Sequence, residues 1–369
     1  MKPAYEGSVS MKKIIIGMIT AAVLVLALSA CGQEQEKKTA ADNDKCDVAM
    51  ISENGDDSGT SFTQTAWDSV QSFAEEKGLT AKLYKPKKST DEAYLASVKK
   101  AAGDGAGLIV MAGSGFESAA YEAQSVYPDT DFLLIDGVPH DAENSYVSAA
   151  NTVSIVFSEE EAGYMAGYAA VMDGYAKLGF IGGQALPEIK RYGYGFVQGA
   201  AAAAAETETR IEIDYKYTSA EQKAADIREL AAGLYKNGTE VIFACGGSVS
   251  RPVIKAAEKN NGKVIGADVD QSSLSETVIT SACKNTDTAV RKVLDSYADD
   301  SFSGGTAFNY AARNNGVSLE MKNSSFKKFS EEDYKKLFRQ LKNGKIDVKK
   351  DTEVKALSEI TGEWVTVRE

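Results

Sequence analysis

The chain holds one histidine, His140, among its 369 residues. His140 follows Pro139 in a loop, no serine or cysteine stands near it in an elbow motif, and Gly-x-Ser-x-Gly is absent. Triad hydrolysis is therefore excluded for want of its parts, and no carboxylate pair is marked by its setting for glycoside cleavage. The chain reads as a non-enzyme. Cysteine is nearly as scarce: Cys31, Cys46, Cys245 and Cys283 are far apart and lack metal-type spacing. No metal and no cofactor are implied. Neither the loop from Asn54 to Gln64 nor Gly246-Gly247-Ser248 makes a phosphate-cradling GxxxxGK[ST] or a dinucleotide fingerprint. Lysine and arginine form no cluster, and the net charge is -12. Such a chain has no general attraction for nucleic acid. After residue 28 no stretch is long and apolar enough to span a bilayer.

The most telling residues lie near the start. Lys12-Lys13 precede the apolar run Ile14–Leu28, which ends in Leu28-Ser29-Ala30-Cys31. A basic segment, an apolar segment and small residues before the cut read as a secretory signal. The cysteine directly after Leu-Ser-Ala makes the end of that signal look like a bacterial lipobox. Residues 1–30 would be removed and Cys31 would carry lipid, placing the rest on the extracytoplasmic face of a membrane. A single N-terminal membrane anchor is the alternative, for which the apolar run is short. About 339 residues would remain, enough for two domains. Residues 31–45 are polar and aperiodic, a flexible tether.

From Cys46 onward strands and helices alternate. Cys46–Ile51, Thr80–Tyr84, Gly107–Ala112 and Phe132–Ile135 read as strands, with helices at Phe62–Lys77, Asp91–Ala102 and Ser118–Tyr127 between them. A second run of the same kind occupies Glu159–Gly266, and a last clear helix spans Glu331–Asn343. Alternation means crossovers onto parallel sheets, so the fold class is α/β, and the two runs predict two lobes with a cleft between them. Cys245 and Cys283 fall near predicted strand ends and read as small buried hydrophobes, with a disulfide between them as the alternative.

Ligands of open parallel sheets gather beyond the carboxyl ends of the strands. There the sequence places Gly113, Asp136, Gly182, Gly246, Asp268 and Asp270. A carboxylate at such a tip can take a hydroxyl pair or a base N–H, though each alone would also serve as a helix cap. Lys284, after the segment Val278–Thr280, could pair with a cleft acid or donate to a ligand oxygen. Asp56, Asp57, Ser61, Phe62 and Thr63 lie in or beside the first strand-to-helix loop, whose polar groups would line the cleft. Tyr192, Tyr194, Phe196, Tyr215 and Tyr217 supply rings that a planar ligand would want.

In order along the chain, several blocks resemble the basic membrane protein family of substrate-binding lipoproteins. They are Ser61-Phe62-Thr63-Gln64-Thr65-Ala66-Trp67, Tyr127-Pro128-Asp129 with Phe132–Gly137, and Glu161-Ala162-Gly163-Tyr164-Met165-Ala166-Gly167. Further along come Gly182-Gly183 with Pro187, Arg191-Tyr192, Gly195-Phe196 and Gly199, then Ile265–Gln271, then Ser281 with Lys284 and Ala289-Val290. The resemblance implies a type I periplasmic-binding-protein fold: two Rossmann-like lobes with parallel sheets, joined by a three-strand hinge. It implies an N-terminal lobe of 46–155 plus about 279–312, and a C-terminal lobe of 156–278 plus about 313–369. It also implies a nucleoside ligand, with the Asp56/Asp57 loop and Asp136 at the base, and Asp268, Lys284 and Gly246 at the ribose. The implied partners are the permease subunits of an ABC transporter, and the implied state is a monomer. Thr63 stands where the family has asparagine, and Tyr215-Lys216-Tyr217-Thr218 replaces a Gly-Ser-aromatic segment. Tyr217 is the candidate replacement ring. Inosine, guanosine, adenosine and a non-purine ligand all stay open, as do a sugar receptor and a surface sensor without transport.

Overall fold

A computed structural model describes residues 45–52, 61–219 and 221–369. Cys31, Asp56 and Asp57 lie outside the described residues. Residues Cys46–Glu369 form one compact unit. Its elements in order are β1 Val48–Ser52, α1 Phe62–Lys77, β2 Ala81–Tyr84, α2 Asp91–Gly103, β3 Leu108–Ala112, α3 Glu117–Val126, β4 Asp131–Ile135 and β5 Thr152–Phe157. Then follow α4 Glu159–Met172, β6 Lys177–Gly182, α5 Pro187–Glu206, β7 Ile211–Tyr217, α6 Ala224–Lys236, β8 Val241–Cys245, α7 Ser250–Asn260 and β9 Lys263–Asp268. The remainder is β10 Val278–Lys284, α8 Thr286–Ala298, β11 Thr306–Tyr310, β12 Val317–Leu319, α9 Glu331–Lys342 and β13 Val365–Arg368.

The strands form two sheets, in the orders β11-β5-β4-β3-β1-β2 and β12-β10-β9-β8-β6-β7-β13. Every pairing is parallel except β10 with β12. The inner strands VAMIS, LIVMA and VIFAC are buried along their whole length, as sheets covered on both faces require. This is the two-lobed α/β architecture expected above.

The chain passes between the sheets three times: at Ser158, at Asn285, and through residues 311–316. One boundary differs from expectation. The segment from Val278 is not a return to the first lobe near 279. It is β10, paired along its length with β9 and β12, and the return comes after Lys284. α8 then lies on α1 of the first lobe, where Ser69 Oγ donates to Asp287 Oδ1 at 2.7 Å.

Four strands escape the sequence alternation: β5, β11, β12 and β13. In β5 the buried Thr152 and Ser154 interrupt the apolar pattern. The other three are short edge strands whose partners lie far away in sequence. Cys46, Cys245 and Cys283 are free thiols. Cys245 and Cys283 sit on β8 and β10 with β9 between them, about 10 Å by strand spacing, too far for a disulfide.

The two helices that flank the site meet through glycine. A Cβ on Gly163 or Gly167 of α4 would overlap the carbonyl oxygen of Tyr192 or Phe196, and a Cβ on Gly195 or Gly199 of α5 would overlap that of Glu160 or Tyr164. Backbone therefore packs on backbone. Gly195→Ala is expected to destabilise the protein by about 3 kcal/mol, the cost of overpacking a closed interface. Gly233→Ala, in an open position on α6, is expected to stabilise it by about 0.5 kcal/mol. Urea denaturation of the two variants checks both signs.

Candidate functional site

The two sheets bring the carboxyl ends of their strands together, and the acids found at those ends meet one lysine. Asp136 follows β4, and Asp268 ends β9. Both adopt left-handed backbone, with φ 66° and 68°, a conformation that aspartate tolerates better than most residues. Glu159 opens α4 just past the first crossing. Lys284 ends β10 just before the second.

The Lys284 Nζ lies 2.6 Å from Asp136 Oδ2, 3.1 Å from Glu159 Oε1 and 3.3 Å from Asp268 Oδ1. Its side chain is 1% exposed. The rings of Phe62, Phe157 and Tyr192 stand 5.2, 5.4 and 5.5 Å from the ammonium, close enough for cation–π attraction. Burial disfavours the charged lysine, but Asp136, Asp268 and Glu159 together outweigh it and hold its pKa well above the ordinary value. An ammonium has three protons, and three carboxylates face it.

Glu159 is fully buried and is held on its other side by Arg191, with Nε 2.6 Å from Oε2. Burial pushes its carboxyl up, and the two cations Lys284 and Arg191 bring it below the usual range. Asp136 behaves differently. Burial, reinforced by Glu159 and Asp268, overrides Lys284 and raises its pKa to about 7. Its Oδ1 is buried without a hydrogen-bond partner. Asp268 keeps 23% of its side chain exposed and is the most open of the three acids. Tyr192 is buried edge-on to Phe243. Its hydroxyl lies 3.2 Å from Asp268 Oδ1 and 3.3 Å from the Ala282 carbonyl. Tyr192 thus orients the acid, and its ring offers no open face.

Of the residues singled out in the sequence, Phe62, Asp136, Tyr192, Asp268 and Lys284 come together here. Ser61 caps α1, accepting from Gln64 N at 3.2 Å, and Thr63 is half-buried in the first turn of that helix. Gly113 sits at the tip of β3, its N–H donating to the Ile135 carbonyl at 2.9 Å. Gly246, at φ 109°, lies against Gly183, and a Cβ there would meet the Gly183 nitrogen at 3.1 Å. Tyr217 ends β7 in the second sheet: its hydroxyl lies 2.8 Å from that of Tyr215 and its ring is edge-on to Phe180.

Sequence reasoning missed Glu159, Arg191 as its partner, and Phe157. Glu159 opens the run Glu159-Glu160-Glu161, which reads as an acidic first turn favoured by the helix dipole. That two of its three members are buried has no sequence signature.

Two lobes whose strand tips converge on a buried polar cage form a candidate site between the sheets, and the likenesses below give its class. A solved solute-binding protein of an ABC transporter system from Aeropyrum pernix K1 superposes with TM-score 0.71 at 19% identity, covering 82% of this chain and 92% of that one. One from Conexibacter woesei DSM 14684 gives 0.64 at 18%, covering 83% and 99%. These likenesses carry the fold. The family described as ABC transporter substrate-binding protein PnrA-like (Bmp) matches residues 46–352, and the chain belongs to it. The family is one of binding proteins rather than catalysts. The ABC transporter nucleoside-binding protein BmpA of Lactococcus lactis subsp. cremoris is 28% identical over 339 residues, 85% of this chain and 93% of that protein. Basic membrane protein A1 of Borrelia garinii subsp. bavariensis is 26% identical over 258 residues, 69% of this chain and 73% of that protein.

Glu160, next to the cage, gives a pH test that leaves the cage intact. Burial, aided by Glu159, raises its pKa to about 7, against about 4.3 in an unfolded chain. The folded state then holds a proton that the unfolded state releases. The stability from this group is complete below about pH 4 and is lost as pH rises through about 7. Glu160→Gln is expected to flatten the fall in unfolding free energy between pH 5 and 8, as read by urea denaturation across that range.

Proposed function

We propose that the protein captures a nucleoside between its lobes and delivers it to the permease of an ABC transporter. The observation that carries this reading is the excess of acceptors in the cage. Lys284 is surrounded by protein carboxylates, while Asp136 Oδ1 has no partner and Asp268 is part-exposed. A solute rich in O–H and N–H donors satisfies such oxygens, and an unmet buried acceptor costs free energy. A ribose offers paired hydroxyls to Asp268. A base offers N–H groups to Asp136 and a planar face to Phe62. The nucleoside-binding relative from Lactococcus lactis supports the same choice. Asp56, Asp57, Ser61, Thr63, Gly113, Gly246 and Tyr217 are proposed to complete the lining.

In this reading closure desolvates the solute and completes its hydrogen bonds from both lobes. No covalent step is needed. The closed form is the one the permease recognises, and the protein acts as a monomer tethered through lipid on Cys31.

Calorimetric titration of the chain from Gly32 onward, stripped of carried-over solute by unfolding and refolding, tests the ligand. Tight binding of one among inosine, guanosine, adenosine and uridine, with weak binding of ribose and free bases, is expected. Tight binding of a sugar, or silence from folded protein, would overturn the nucleoside reading. Asp268→Ala should cost roughly 2–5 kcal/mol of affinity, as truncated charged contacts do. For the anchor, fatty-acid labelling in cells should vanish in Cys31→Ser; persistent labelling would sink that assignment.

A further inference from the structure

A second polar contact joins the lobes outside the lysine cage. Ser114 follows Gly113 at the tip of β3 in the first lobe, and Glu188 lies in the first turn of α5 in the second. Ser114 Oγ donates to Glu188 Oε1 at 2.9 Å. The other oxygen, Glu188 Oε2, is buried and has no hydrogen-bond partner. The group is within electrostatic reach of Lys284 and Glu159, so it borders the cage. With Asp136, Glu159 and Asp268 it makes four carboxylates, against the two cations Lys284 and Arg191.

A buried carboxylate oxygen without a donor is costly unless something supplies one. Asp136 and Glu159 have cations on them. Glu188 has no cation on it: its side-chain partner is a neutral hydroxyl from the opposite lobe, beside its own backbone N–H. That hydroxyl reaches it only when the lobes are together, the state in which a captured solute would fill the cleft.

We propose that Glu188 is a specificity-determining residue of the cleft: one oxygen latches to Ser114 across the lobes, and the other takes an N–H or O–H donor of the captured solute. The inference rests on the solute-capture reading above and extends it to a residue outside the lysine cage. The acid also turns away anionic solutes, since phosphate would face a surface with more carboxylates than cations.

Two substitutions separate the two oxygens' tasks. Glu188→Gln keeps an acceptor for Ser114 but loses the second one. Ser114→Ala removes the latch and leaves the carboxyl. The full-length chain in detergent is titrated with inosine, guanosine, adenosine, uridine, ribose and adenosine 5′-monophosphate. For whichever of these the unaltered protein binds, Glu188→Gln is expected to weaken affinity about 10- to 100-fold, the worth of one hydrogen bond to a charged group. It should also narrow the gap between adenosine and its monophosphate. Unchanged affinity in Glu188→Gln overturns the proposal. If ribose is the solute bound, the nucleoside reading fails while the Glu188 comparison is still made, on ribose.

If the unaltered protein binds none of the six, the latch decides. Spin labels are placed on the two lobes at the exposed positions Lys99→Cys and Glu229→Cys, and the distance between them is measured by double electron–electron resonance. Ser114→Ala should shift the distribution to longer distances and Glu188→Gln should leave it in place. No shift in Ser114→Ala overturns the proposal.

Discussion

The ammonium of Lys284 is the charge on which the two lobes are organised. It holds an acid from the first lobe, an acid at the first crossing and an acid from the second lobe in one buried cluster. Remove that charge and three carboxylates face one another with only Arg191 to balance them, a state that buried acids reach only by taking up protons. The lysine sits 2.6, 3.1 and 3.3 Å from three protein carboxylates and so fixes where those acids lie. The cluster is thus made of structural ions. In the proposed capture, what it offers to a solute is the spare capacity of Asp136 and Asp268.

Such a cluster tolerates little movement of its supports. Glu159 stands at the head of α4, while Arg191 and Tyr192 stand on α5. Those helices are held at backbone contact by Gly163, Gly167, Gly195 and Gly199. The Glu159–Arg191 bond spans this seam, and Tyr192 reaches from α5 to Asp268 at the end of β9. The rings around the lysine add an apolar wall that excludes water and strengthens the charges inside it. Packing and electrostatics therefore depend on the same pair of helices.

Much of this was legible in the residues. Glycines and acids at the ends of apolar runs marked Asp136 and Asp268 correctly as tip residues, because a strand-to-helix turn in a parallel sheet leaves its tip facing the ligand side. Lys284 was noticed for its place after an apolar segment. That segment's sheet could not be read, since β10 would suit either lobe by hydrophobicity alone. The edge strands β11, β12 and β13 escaped because their pairing is set by partners far along the chain. Glu159 and Glu188 escaped for a different reason: both sit in helix first turns, where an acid is ordinary, and only the fold buries them. The aromatic cluster was half-read. Tyr192 reads as a ring in the sequence and bonds through its hydroxyl, while Phe157, inside a strand broken by Thr152 and Ser154, carries no sequence signal.

The three crossings have a consequence for how the molecule comes into being. Neither lobe is a continuous stretch of chain. The first sheet lacks its edge strand β11 and its covering helix α8 until almost the whole second sheet has been made, and β7 waits for β13 at the far end of the chain. As the polypeptide lengthens from its amino end, no point arrives at which one lobe is finished and the other not yet begun. Contacts between distant segments are slow to form, because long loops must close before the pairing rewards them. Neither sheet is therefore complete until most of the chain has been made.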